Sequence, residues 1–262
     1  MRSSTPGLPL GALLCAAALG ACATPARPPA GASFELEAFR WRAEATPQSK
    51  VVATNRWGDL RVRTAARGGL VVSAMIQKIG TTRDELEIRF EESADAVAVR
   101  VVPLVARPRG RVDLTLLVPP GKRVEGTTRD GIVEIKYSGE ARARSRGGAI
   151  TIDSVSRATA HSRSGSITAR LGGGPWRQPL SFASRSGDVS VSLPDDARVL
   201  LRAEAAGALA VGFAAEPTGR RGARRSIVAA LGGGGSLLRV ESVAGDVRVI
   251  PYSAPTRVAA AD

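Results

Sequence analysis

Side chains able to do covalent or metal chemistry are few. The 262 residues include one histidine, His161, and two cysteines, Cys15 and Cys22. That leaves no His cluster, no four-cysteine zinc site and no finger of paired Cys and paired His, so no metal or other cofactor is expected. A nucleophile needs a base within hydrogen-bond reach. His161 stands between Ala160, on an apolar alternation, and Ser162, so it points outward and reads as a surface side chain. The lysines (Lys50, Lys78, Lys122, Lys136) lie outside apolar runs, and burial is what turns a lysine into a base. Carboxylates gather at Asp84, Glu85, Glu87, Glu91, Glu92 and Asp95. A pair of them flanking a sugar would mark a glycan-cleaving enzyme. Alternation sets Glu85 and Glu87 opposite Leu86 and Ile88, which makes them part of a solvated strand face. Asp195-Asp196 after Pro194 reads as a turn, and the glycine runs at 172–174 and 232–235 lack the Lys-Ser/Thr of a phosphate loop. No enzymatic activity is expected.

Arginine is the abundant reactive group. The net charge is +13, and 33 of the 37 basic residues are Arg. The aromatics number ten, too few for a surface that stacks on bases, so nucleic acid is not an expected partner. Four arginines recur in one context. Thr128-Arg129-Asp130-Gly131, Ser145-Arg146-Gly147-Gly148, Ser162-Arg163-Ser164-Gly165 and Ser184-Arg185-Ser186-Gly187 share a Ser/Thr-Arg-x-Gly form. If these units stack, Arg129, Arg146, Arg163 and Arg185 make a cationic strip with neighbours about 5 Å apart. Its chemistry would suit polyanions such as lipopolysaccharide phosphates or acidic polysaccharide. Thr128, Ser145, Ser162 and Ser184 would form a parallel row of stabilising hydroxyls.

The elements that must position these residues are strands. Each corner is followed by x-apolar-x-apolar: Val133 and Ile135, Ile150 and Ile152, Ile167 and Ala169, Val189 and Val191. The corners are preceded by Ala141 and Ala143, Ala158 and Ala160, and Leu180 and Phe182. The glycines are 17, 17 and 22 residues apart. At about 3.3 Å per residue, 17 residues trace roughly 56 Å, which suits one coil of a small solenoid. Looser copies sit at Gly58-Asp59-Leu60, Gly207 and Gly245-Asp246-Val247. The corner glycines are expected to supply a positive φ. Alternation also marks Leu70–Ile76, Leu86–Phe90, Val97–Val101 and Val112–Val118, the last stopped by Pro119-Pro120-Gly121. Ser226–Leu231 is the one modest helix candidate, with a loop or strand connection as its alternative. The fold class expected is all-β: a single-stranded, right-handed, β-helix-like solenoid of repeats with an N-terminal β-rich half. A meander or sandwich of hairpins is the alternative.

The repeated S/T-R-x-G-x-[IV]-x-[IV] units, the strand Val112–Pro119 leading to Val124 and Gly131, and the closing Ser242-Val243-Ala244-Gly245-Asp246-Val247 resemble a family of bacterial β-strand-repeat domains of unknown function, grouped as adhesin or toast-rack-like domains. The resemblance covers about residues 50–251. Family corners usually read Ser-Asn-Gly-Asp-Ile. Here Arg often stands for Asn, and Ile132, Ala149 and Ser166 follow the glycine in place of Asp. The resemblance implies a surface-facing, non-catalytic role.

The N-terminus reads as an address. Arg2, the short apolar run Leu8–Leu19 and Leu19-Gly20-Ala21-Cys22 resemble a lipoprotein signal peptide, residues 1–21, ending in a lipobox. Cys22 is then the lipid attachment site, carrying acyl chains of the palmitate type. Two or more such chains anchor stably, each buried methylene contributing about 0.8 kcal/mol. Ala23 after the Cys favours the outer membrane over inner-membrane retention. Residues 22–48 make the lipidated Cys and a Pro/Ala/Gly-rich tether, in which Phe34–Ser49 is a first strand or an ordered lead-in. The repeat domain spans 49–251 and a tail spans 252–262. The whole reads as a cell-envelope lipoprotein that binds, adheres or scaffolds, its partners the membrane through its anchor and an anionic polysaccharide, lipopolysaccharide or envelope protein. An extracellular polysaccharide-active β-helix enzyme is the alternative.

Overall fold

The computed structural model describes residues 34–43, 50–65, 68–80, 83–137, 139–154, 156–173, 176–214, 219–221 and 224–253. The signal, Cys22 and most of the tether lie outside them. The described residues fall in the unit Ser33–Asp262. Its first part holds β1 (Phe34–Ala43), β2 (Lys50–Asn55), β3 (Leu60–Thr64), β4 (Leu70–Ile79), β5 (Leu86–Glu92), β6 (Ala96–Pro103) and β7 (Arg111–Val118). The central repeats supply β8 (Arg123–Thr128), β9 (Val133–Tyr137), β10 (Glu140–Ser145), β11 (Ile150–Ser154), β12 (Ala158–Ser162), β13 (Ile167–Leu171), β14 (Leu180–Ser184) and β15 (Val189–Pro194). The last part holds β16 (Val199–Ala205), β17 (Leu209–Val211), β18 (Gly219–Arg221), β19 (Arg224–Leu231), β20 (Ser236–Ser242) and β21 (Val247–Tyr252).

Two open, mixed sheets result. Sheet A runs β1-β4-β7-β3-β9-β11-β13-β15-β21-β17, and sheet B runs β18-β19-β16-β20-β14-β12-β10-β8-β2-β6-β5. The all-β expectation holds. A single-stranded right-handed solenoid is not what the sheets show, because they lie like the two layers of a sandwich. Antiparallel pairs form one end of sheet A (β1–β4 and β4–β7) and both ends of sheet B (β5–β6 at one, β16–β19 and β18–β19 at the other), while the other end of sheet A is β17, parallel to β21. Between them, β8 to β15 alternate between the sheets, and each strand pairs in parallel with its equivalent one unit later. Phe34–Ala43, left open between strand and lead-in, is a strand. Ser226–Leu231 lies in strand β19, whose Ile227 and Leu231 are buried while Val228 and Ala230 are exposed. That is period-2 burial, which a helix would not give.

One hydrophobic core joins both sheets. Sheet B faces it with Ala141, Ala143, Ala158 and Ala160, and sheet A with Val133, Ile135, Ile150, Ile152 and Ile167, all essentially inaccessible. Small residues on one wall and branched ones on the other let the layers close without voids.

The corners carry the tightest contacts. A Cβ placed on Gly148 would lie 1.9 Å from the carbonyl oxygen of Gly131, and one on Gly131 1.9 Å from that of Gly58. Gly165 meets Gly148, and Gly187 meets Gly165, at 2.0 and 2.4 Å. None of these glycines has a positive φ; those that do among the described residues are Gly68, Gly80, Gly121 and Gly232–Gly234. The corner glycine is therefore required by the close approach of the next layer, a correction to the conformational reason expected from sequence. Gly148→Ala is expected to lose about 3 kcal/mol or more in urea unfolding, as overpacking against backbone does. Gly173→Ala, with open space where its Cβ would stand, should be nearly silent.

Candidate functional site

The corner seen from inside is a hydroxyl row. Ser184 accepts from the Gly187 N–H (2.9 Å) and donates to the Gly165 carbonyl (3.0 Å). Ser242 does the same one layer on, with Gly245 (2.9 Å) and Gly187 (2.8 Å). Ser162 accepts from Gly165 (2.8 Å), while Thr128 donates to the Gly131 carbonyl (2.8 Å) and shares a hydroxyl–hydroxyl contact with Ser145 Oγ (3.3 Å). These side chains are buried. They are spent on backbone groups that would otherwise be orphaned, a structural use.

Outside the hydroxyls stand the arginines. Arg129, Arg146, Arg163 and Arg185 are exposed. Backbone bonds stack their corners: the Arg146 N–H donates to the Arg129 carbonyl (2.9 Å), Ser164 to Arg146 (2.9 Å) and Ser186 to Arg163 (3.1 Å). The structure thus brings all four sequence-assigned residues into one row. It also adds a fifth. Asn55 pairs with Thr128, so the corner Asn55-Arg56-Trp57-Gly58 stacks on the first repeat and sets exposed Arg56 beside Arg129. Asn55 takes the hydroxyl's place, donating to the carbonyls of Asp59 (2.9 Å) and Val112 (2.6 Å). The equivalent Gly58 was legible as a repeat copy; its Arg was hidden by an Asn in place of the Ser and by the long interval to the next corner.

Ion pairs are frequent on the sheet faces and sparse in this row. On sheet B, Glu125 holds Lys50 (3.0 Å) and Arg142 (3.6 Å), and Glu140 holds Arg123 (3.1 Å), Arg142 (3.4 Å) and Arg157 (3.1 Å). On sheet A, Glu134 holds Arg63 (2.8 Å) and Lys136 (3.1 Å). Its hydrogen bond from Arg63, followed by that from Lys136, keeps its carboxyl below the usual range. Arg111 bridges Asp59 (2.7 Å) and Asp113 (2.9 Å). In the corner row Arg129 meets Asp130 at 3.3 Å, both well exposed. Among the described residues Arg56, Arg146, Arg163 and Arg185 have no ion pair. The backbones of adjacent rungs are about 5 Å apart; two unit charges at that separation would repel by roughly 0.8 kcal/mol in water, which splaying of the side chains and salt reduce.

Most of the acidic cluster is held in separate ion pairs. Lys78 bridges Asp84 (2.9 Å) and Glu37 (3.1 Å), Glu87 pairs with Arg89 (2.9 Å), and Glu91 with Arg100 (3.5 Å). Glu85 departs from the solvated-face expectation. It precedes β5 and accepts the backbone N–H groups of Arg109 (2.6 Å) and Gly110 (3.3 Å), the first of which chiefly lowers its pKa. It fastens the loop after β6. Asp195-Asp196 is a turn, as expected. No group of His, Cys, Asp and Glu able to hold a metal ion occurs among the described residues.

The residue after each corner glycine explains the Asp of the family pattern. Asp188 Oδ1 accepts the Asp246 N–H (2.9 Å), Asp246 Oδ1 the Ala208 N–H (2.8 Å), and Asp59 Oδ1 the Ile132 N–H (3.0 Å). Each carboxylate reaches the amide of the equivalent residue in the adjoining layer. Ile132, Ala149 and Ser166 cannot do this. Ala149→Asp would aim a carboxylate at the Ser166 amide, and a rise in stability of about 1 kcal/mol is expected in thermal unfolding.

No family model matches the chain. No curated protein matches it. Among solved structures the chain is similar to a putative cell adhesion protein from Clostridium sporogenes, with TM-score 0.48 and 10% identity over 83% of this chain and 100% of that one. It is also similar to a putative adhesin from Bacteroides fragilis (TM-score 0.32, 10% identity, 82% and 97% of the two chains) and to one from Parabacteroides distasonis (0.27, 8%, 82% and 97%). Proteins described as adhesins are thus among the structures it is similar to, at low identity.

Proposed function

We propose that this chain is a non-catalytic binding module of the cell envelope, anchored by lipid at Cys22, whose row of corner arginines is a contact surface for anionic polymer. The carrying observation is the stacking of five arginines on successive corners. Strand register and backbone bonds set Arg56, Arg129, Arg146, Arg163 and Arg185 in one exposed row, in which Arg129–Asp130 is the one ion pair among the described residues. At about 4.8 Å per layer the row is roughly 19 Å long. A flexible polymer bearing phosphate, sulfate or carboxylate groups relieves the repulsion between rungs while gaining charge-assisted hydrogen bonds. We read the parallel units as a short two-faced β-solenoid, a rigid rack for that row. The lipobox-like Leu19–Cys22 and the Pro-rich segment after it support a tethered position, and Ala23 favours the outer membrane.

Two measurements test this. Replacing Arg56, Arg129, Arg146, Arg163 and Arg185 together by Ser is expected to weaken binding to lipopolysaccharide and to polygalacturonate at least tenfold. It should also flatten the dependence of log Kd on log salt; unchanged affinity and slope overturn the proposal. Replacing Cys22 by Ser is expected to abolish incorporation of labelled palmitate and to leave the leader uncleaved. Retained label would place the anchor elsewhere.

A further inference from the structure

A second feature lies on the outer face of sheet B and does not depend on the corner row. Glu125, Thr127, Arg142, Arg144, Arg157, Thr159 and His161 surround a trough of about 280 Å³. Register explains it. Thr127, Arg144 and His161 are cross-strand neighbours on β8, β10 and β12, and Glu125, Arg142 and Thr159 form the adjoining row. Beyond His161 comes Ala183, and beyond Thr159 comes Ser181, both on β14. Long side chains therefore ring a floor of short ones. The donors are unevenly used. Arg142 and Arg157 are tied to Glu140 and Glu125, yet Arg142 Nε is buried without a hydrogen-bond partner among the described residues. Arg144, directly across the strand pair from His161, has no acidic partner among the described residues. A buried donor left unpaired is costly, and guanidinium groups bind oxyanions by charge-assisted hydrogen bonds.

We propose that this trough is a site for a single tetrahedral oxyanion, a phosphate or sulfate group. Arg144 and the imidazole of His161 are its principal donors, with the Thr127 and Thr159 hydroxyls on its floor. Four donors on three strands around one hollow match the several acceptors of a tetrahedral anion better than the flat pair of a carboxylate. The charges facing His161 are those of Arg144 on β10 and Arg239 on β20. Strand β14 contributes uncharged Ala183 and Ser181, Glu241 is engaged by Arg224 and Arg239, and Glu125 by Lys50 and Arg142. Desolvation, then Arg144 and Arg239, lower the imidazole's pKa. Without an anion, these surroundings disfavour the protonated ring of His161. An anion favours the protonated ring and raises its pKa, so affinity increases as pH falls through the histidine range and declines above it.

His161 is the sole histidine, so its imidazole can be followed by NMR in the full chain held in non-ionic detergent. Sodium sulfate, which stays dianionic through the titration, is the probe, with sodium phosphate as a second arm and sodium chloride at equal ionic strength as reference. Sulfate and phosphate are expected to raise the His161 midpoint by about one pH unit relative to chloride. Arg144→Ala should abolish the shift, while Arg163→Ala on the corner should keep it. A midpoint equal in sulfate, phosphate and chloride overturns the proposal. So does an Arg144→Ala chain, shown folded by its thermal transition, that shifts like the original, or an Arg163→Ala chain that loses the shift. Failure here leaves the polymer-binding row standing, because the two use different arginines.

Discussion

The structure depends on how closely one corner approaches the next. Each corner glycine lies with its α-carbon under the carbonyl of the glycine in the adjoining layer, leaving no room for even a methyl group. Parallel pairing of the strands follows from that contact, since the hydroxyl rows and backbone bonds at the corners fix the register on both sides at once. The same closeness brings the arginines into line. Their row is a by-product of layer spacing, and chemistry that needs regularly repeated positive charge can use it only because the glycines hold the layers together.

Much of this was legible in the residues. Alternation over 133–135, 150–152 and 167–169 marks the strands, and the recurrent Ser/Thr-Arg-x-Gly marks the corner, because both reflect local geometry that repeats with the chain. Three things were not. The role of the glycines is hidden, since sequence shows a missing side chain but not whether backbone torsion or a neighbouring layer demands it. Arg56 is hidden because its neighbour in space, Arg129, is remote in the chain. The antiparallel pairs β1–β4, β16–β19 and β5–β6 toward the sheet ends are announced by no repeat.

Charge arithmetic alone misleads here as well. A net charge of +13 suggests a uniformly basic surface. The carboxylates are instead concentrated where strands lie side by side, and Glu134 and Glu140 each serve several basic partners across neighbouring strands. Individual exposed pairs of this kind contribute little to stability, typically under about 1 kcal/mol. Their larger effect is to balance part of the basic charge on the sheet faces, while the corner row keeps nearly all of its own.

The order of strands departs from the order of the chain at both ends. The β2–β3 unit lies between β6–β7 and β8–β9, and the β20–β21 unit lies between β14–β15 and β16–β17. At both ends, then, the stacking order is not the chain order. Duplication or loss of a unit is geometrically simple only in the interior, from β8 to β15, where chain order and spatial order agree. Relatives that differ in length by whole units should vary there, and each added unit of the central type would lengthen the charged row by one step.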